Sequence, residues 1–92
     1  MSTKEEVLEE VKTKTKKQKN YEIVLFNDDH NTFDHVIETL IYACDHTAEQ
    51  AEQCSLLVHY KGKCTVKTGA YPDLKPRCSK LLDAGLSAEI IG

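Results

Sequence analysis

The 92-residue chain has no Trp, two Phe and one Met, so the core it can build is modest, enough for one compact domain and too small for two. No stretch approaches the roughly 18 to 20 apolar residues that cross a bilayer, and Met1 to Glu6 contains no apolar signal segment. Neither secretion nor membrane insertion is expected, and the expected location is cytoplasmic. A Gly-rich phosphate loop and a Ser-His-Asp spacing are both missing. Cys44, Cys54, Cys64 and Cys78 include no C-x-x-C pair, which argues against structural zinc, and the EF-hand pattern is absent. The cysteines fit reduced core thiols on helix faces and a strand. These absences point away from an enzyme, a metal site or a cofactor.

A basic surface is also lacking where it would matter. Residues 1–20 hold six Lys against four Glu, a net of +2, and the remainder holds six Lys/Arg against eleven Asp/Glu, a net of -5. A folded part with that balance repels phosphate backbones, so nucleic-acid binding is not expected. Residues 1–20 offer only Val7, Leu8 and Val11 to a core and are expected to be a flexible extension. Residues 21–92 are expected to be the folded domain.

What is present begins with Tyr21 to Phe26, whose Ile23-Val24-Leu25-Phe26 run predicts a buried strand. Phe33, Val36, Ile37, Leu40, Ile41 and Cys44 follow at helical spacing, with Asn31 or Thr32 as N-cap and Asp34 in the first turn. Thr47 and Gln50 form a capping box for a second helix through Ala48, Ala51, Cys54, Ser55, Leu57 and Val58, stopped by Gly62. Cys64, Val66 and Thr68 alternate on one face of a second strand. Ala70-Tyr71-Pro72 reads as a turn, with Asp73 as the possible N-cap of a third helix through Leu74, Cys78, Leu81 and Leu82 and Pro76 in its first turn. Leu86, Ala88 and Ile90 alternate in a last strand. The fold class expected is α+β, a β-α-α-β-α-β two-layer sandwich with three helices on one face of a three-stranded sheet.

The chemistry is concentrated where the first strand ends. Asn27-Asp28-Asp29 taken alone can be a turn, an N-cap region, a metal site or an ammonium site, and the purely structural role is the commoner one. His59, on the last turn of the second helix, can be an ordinary histidine or can face this acidic loop. In the second case a neutral imidazole nitrogen, the Asn27 carbonyl and a carboxylate surround an ammonium group with acceptors.

Two segments, Ile23-Val24-Leu25-Phe26-Asn27-Asp28-Asp29 with Phe33-Asp34-His35-Val36-Ile37, and Leu56-Leu57-Val58-His59-Tyr60-Lys61-Gly62-Lys63, resemble the ClpS family. These are adaptors that deliver N-degron substrates to AAA+ Clp unfoldases of the ClpA or ClpC type. The resemblance implies a non-enzymatic, monomeric adaptor that binds a bulky hydrophobic residue at a protein's free N-terminus. Asn27 and His59 match the positions that hold the α-ammonium, and Asp28 and Asp29 match their acidic neighbours on the leading backbone. Val36, Val58 and Leu86 match the walls of the side-chain pocket. His30-Asn31-Thr32-Phe33 departs from the family's pattern: Phe33 replaces a pocket Met, Ser55 stands at a second Met wall position, and Asn31 joins them at the pocket. Unfoldase contact is implied around Pro72, which replaces an acidic residue, and Arg77, which preserves a basic one. The rival reading is a structural protein-protein interaction domain whose acidic loop only caps a helix.

Overall fold

Hydrophobic alternation and helical spacing resolve into six elements in the computed structural model, which describes residues 20–92. They are β1 (Tyr21–Phe26), α1 (Phe33–Cys44), α2 (Ala48–Lys61), β2 (Lys63–Gly69), α3 (Tyr71–Asp83) and β3 (Ser87–Ile91). The extension expected over residues 1–20 lies, Asn20 apart, outside the described residues. The order and the α+β class are those expected from the sequence.

The sheet order is β2-β1-β3, with β1 antiparallel to both neighbours. The most apolar strand therefore takes the centre. Ile23 and Leu25 point inward and are almost fully buried with Leu40, Leu74 and Leu81 from the helices. Each such side chain contributes about 1.5 to 3 kcal/mol by leaving water. Val24, on the other face, is also buried, flanked by its register partners Thr65 and Glu89.

Local rules explain the helix ends. Thr32 is the N-cap of α1, its side chain accepting from the His35 N–H at 3.1 Å, and Asp45 closes the helix at φ 58°. The Thr47–Gln50 capping box is fully formed at the start of α2. At the other end Gly62, at φ 91°, donates to the Val58 carbonyl. His46, between these helices, has Nε2 2.6 Å from the Val66 carbonyl; since a carbonyl only accepts, Nε2 carries the proton.

Four details differ from the sequence expectations. Thr68 does not share a face with Cys64 and Val66, because β2 bulges at Val66: Val24 pairs with Thr65 while Ile23 pairs with Lys67. The extra residue reverses the alternation and puts Thr68 opposite Glu22 on the outer face. Tyr71 and Pro72 are not a turn but the first residues of α3, with Ala70 as N-cap, so Asp73 lies inside the helix. The fixed φ and missing N–H of Pro72 suit that first turn. Pro76 consequently falls in the helix interior, where it removes the bond to the Pro72 carbonyl. Finally, Ile41 and Leu57 sit at the solvent edge of their helices, and the buried stripe of α2 is Ala51, Ser55 and Val58.

A Cβ at Gly62 would meet nothing within 4 Å, so its glycine is required only by the backbone angle. Gly62→Ala is expected to cost about 1 to 2 kcal/mol of unfolding free energy in urea denaturation. A loss of only a few tenths would show that the helix end relaxes to another geometry.

Candidate functional site

The end of β1 and the end of α2 are joined through the backbone. The Asn27 N–H donates to the Gly62 carbonyl at 2.9 Å, so the left-handed turn that stops α2 also receives the chain as it leaves the central strand. Asn27 and His59 are thereby brought to the rim of one cavity of about 490 Å³.

All ten residues expected at the pocket line this cavity: Asn27, Asp28, Asp29, Asn31, Phe33, Val36, Ser55, Val58, His59 and Leu86. They come from the β1–α1 turn, from α1, from α2 and from the residue just before β3. Leu25 and Phe26 line it as well and were missed. Strand alternation with Ile23 could have indicated Leu25; Phe26 gave no signal beyond its place beside Asn27. Exposure is graded across the cavity. Asn27, Asp29, Phe33 and His59 are exposed, whereas Leu25, Ser55, Val58 and Leu86 are buried. The result is a polar mouth over a largely apolar floor, with Phe33, 39% exposed, among the exposed lining residues.

The turn is shaped by the Asp28 carboxylate. Its Oδ1 accepts the His30 N–H at 3.0 Å and the Asn31 N–H at 3.2 Å. The Asn31 side-chain amide donates to both carboxylate oxygens, at 3.0 and 3.1 Å, and to the Gly85 carbonyl at 2.9 Å. The Ser87 hydroxyl is 3.4 Å from Oδ2. On the neighbouring turn of α1, His35 Nε2 lies 2.9 Å from the Ala84 carbonyl. These bonds fix the acidic turn to the α3–β3 connection, which carries Leu86 into the cavity. Gly85, Ser87 and His35 could not be found from the sequence, because their partners lie 49 to 59 positions away. Burial alone would push the Asp28 carboxyl up, but the hydrogen bonds from His30, Asn31 and Ser87 outweigh it and hold its pKa below the usual 3.8.

Pro72 and Arg77 lie on α3 and do not line the cavity. Pro72 is exposed in the first turn. Arg77 donates to Asp45 at 2.9 Å and to the Ala43 carbonyl at 3.3 Å, with Asp73 a further 3.5 Å ion-pair partner of its Nε. It thus binds α3 to the C-terminal end of α1, and its hydrogen bond and charge hold the Asp45 carboxyl below its ordinary range.

Among the described residues, no three His, Cys, Asp or Glu side chains gather as a metal site, and no helix is long and apolar enough to cross a membrane. The four cysteines are unbridged. Burial pushes the Cys44 thiol up to about 11 and, with the neighbouring Cys64, the Cys54 thiol up to about 12, which disfavours the nucleophilic thiolate.

The family whose pattern matches the chain is ClpS, ATP-dependent Clp protease adaptor protein ClpS, over residues 16–89. The ATP-dependent Clp protease adapter protein ClpS of Acetivibrio thermocellus is 42% identical over 71 residues, covering 77% of this chain and 72% of that one. Human E3 ubiquitin-protein ligase UBR1 is 40% identical over 55 residues, 60% of this chain but 3% of the ligase. In fold the chain is similar to Agrobacterium tumefaciens ClpS2 bound to L-phenylalaninamide. That match has a TM-score of 0.72 and 17% identity, and it covers 79% of this chain and 98% of that one.

The lowered Asp28 pKa makes a signed prediction. A carboxyl whose folded pKa lies below its unfolded value of about 3.9 stabilises the fold fully above that value. The contribution is lost as pH falls through the folded pKa. The stability difference between the wild-type protein and Asp28→Asn in urea should therefore be largest near neutral pH and shrink below about pH 4. A difference that stays constant down to pH 2 would assign the turn's stability to groups other than this carboxylate.

Proposed function

The chain belongs to the ClpS family of ATP-dependent Clp protease adaptor proteins, and we propose that its cavity receives the first residue of an N-degron substrate for delivery to an AAA+ Clp unfoldase. The observation that carries this reading is the convergence, on one cavity, of acceptors at the mouth and apolar groups at the floor. Such an arrangement suits a group that is cationic at one end and bulky and apolar at the other. A free N-terminal residue has that form. Agrobacterium tumefaciens ClpS2, of the same fold, is bound to L-phenylalaninamide, a phenylalanine derivative.

In this reading the Asn27 side-chain carbonyl and a neutral His59 nitrogen accept hydrogen bonds from the α-ammonium. Asp29, exposed beside them, adds a negative field. Asp28 acts on the leading backbone chiefly by holding the turn, since its oxygens already accept hydrogen bonds from Asn31 and from the backbone. Asn31 fixes the wall that carries Leu86. Phe33, Val36, Val58 and Leu86 enclose the side chain. Magnitudes favour this division of labour. Burying a Phe or Leu side chain gives about 1.5 to 3 kcal/mol, whereas micromolar binding needs about 8 kcal/mol. The charge-assisted hydrogen bonds to the terminus must supply much of the remainder, and they also reject internal peptide segments.

The adaptor itself does no covalent chemistry: the task is binding and transfer, and the raised cysteine pKa values suit a passive core. We place the unfoldase contact on the α3 surface around Pro72 and Arg77, clear of the cavity, so that docking leaves the bound terminus in place.

A peptide beginning with Phe or Leu should bind in fluorescence titration, and its N-acetylated form should bind at least tenfold more weakly, as expected when a charge-assisted bond of about 1.5 to 3 kcal/mol is lost. Asn27→Ala and His59→Ala should each weaken the free peptide by a similar factor. Equal affinity for free and acetylated peptide, or none for either, would overturn the reading in favour of a docking domain whose acidic turn is only structural.

A further inference from the structure

The buried part of the cavity is apolar with one exception. Leu25, Val58 and Leu86 are joined there by Ser55, which is 3% exposed. Its hydroxyl donates to the Ala51 carbonyl one turn earlier in α2, at 2.8 Å. A serine hydroxyl has a single hydrogen and two lone pairs. With the hydrogen committed to the helix, what Ser55 can offer a ligand is an acceptor.

An acceptor stripped of water at the bottom of an apolar pocket discriminates among occupants. A side chain that ends in C–H groups leaves the lone pair unpaired, whereas one that ends in a donor satisfies it. We propose that Ser55 is a specificity-determining residue that favours an N-terminal tyrosine over phenylalanine. This rests on the reading of the cavity as an N-terminal-residue site. Tyrosine matches the graded cavity from end to end: its ammonium meets the acceptors at the mouth, its ring lies against Val36, Val58 and Leu86, and its hydroxyl, at the tip of the ring's long axis, meets the buried oxygen. Phenylalanine makes the first two contacts and not the third.

The test uses the full chain and peptides identical except for a first residue of Phe, Tyr or 4-methylphenylalanine, each free and N-acetylated. 4-Methylphenylalanine has the length of tyrosine without the donor. One neutral hydrogen bond corresponds to a preference of about three- to tenfold for Tyr over both others. In Ser55→Ala, which suits a helix interior, the ratio of Tyr to Phe affinity should fall to within about twofold of one. The proposal is overturned by 4-methylphenylalanine binding as tightly as Tyr, which would make length the cause, or by a Tyr preference that survives Ser55→Ala. The wild-type comparison decides the first independently of how the variant folds. The acetylated arm separates the two levels. Loss of free-against-acetylated discrimination defeats the parent reading, whereas its retention without a Tyr preference defeats only the role of Ser55.

Discussion

The Asp28 carboxylate is the constraint on which the candidate site depends. It stands at the point where the central strand ends and the first helix has not begun, and it collects donors from the backbone of His30 and Asn31, from the Asn31 amide and from Ser87. A turn of this polarity would be mobile if its bonds went to water. Bound to one anion instead, it has a single shape, and Asn31 extends that shape to the Gly85 carbonyl, next in the chain to Leu86. An acceptor-only group with two oxygens does this well, because it can satisfy several donors at once without needing one in return.

The second half of the site is set by the way α2 stops. Gly62 reverses the chain in a left-handed conformation, and its carbonyl takes the N–H of Asn27. Two chain segments that are distant in sequence thus share one corner, with Asn27 on one side and His59 on the other. Behind that corner the central strand supplies Leu25 and α2 supplies Ser55 and Val58, all buried. The grading from polar mouth to apolar floor is the direct outcome of a turn meeting a core, and it gives the cavity its two chemistries.

The opposite side of the fold is devoted to holding the helices together. Arg77 bridges α3 to Asp45 and to the Ala43 carbonyl near the end of α1. The T-shaped contact of Tyr21 with Tyr71, at 5.4 Å between ring centroids, fixes the first turn of α3 to the first residue of β1. These contacts lie away from the cavity, so the surface proposed to meet an unfoldase is braced independently of the pocket.

Much of this was legible from the residues alone, where local physics governs. Apolar periodicity gave the three strands and the span of α1, the capping box gave the start of α2, and Gly62 gave its end. The residues lining the cavity were reached through the resemblance of the Asn27-Asp28-Asp29 and His59 segments to the ClpS family, since local physics by itself offered only an acidic turn with a structural role as its commoner reading. The bulge at Val66 was not legible, because strand alternation cannot show an unpaired residue until a partner strand sets the register. Nor was the role of Pro72 as a helix opener, since proline serves a turn and a first helical turn equally well. Above all, the sequence could place Asn31 and Ser55 near a pocket but not say what their polar atoms do. That Asn31 links Asp28 to Gly85, and that Ser55 has spent its hydrogen on Ala51, follows only from distances across the fold. A hydrogen bond's partner is a matter of where the chain returns, which tertiary packing decides.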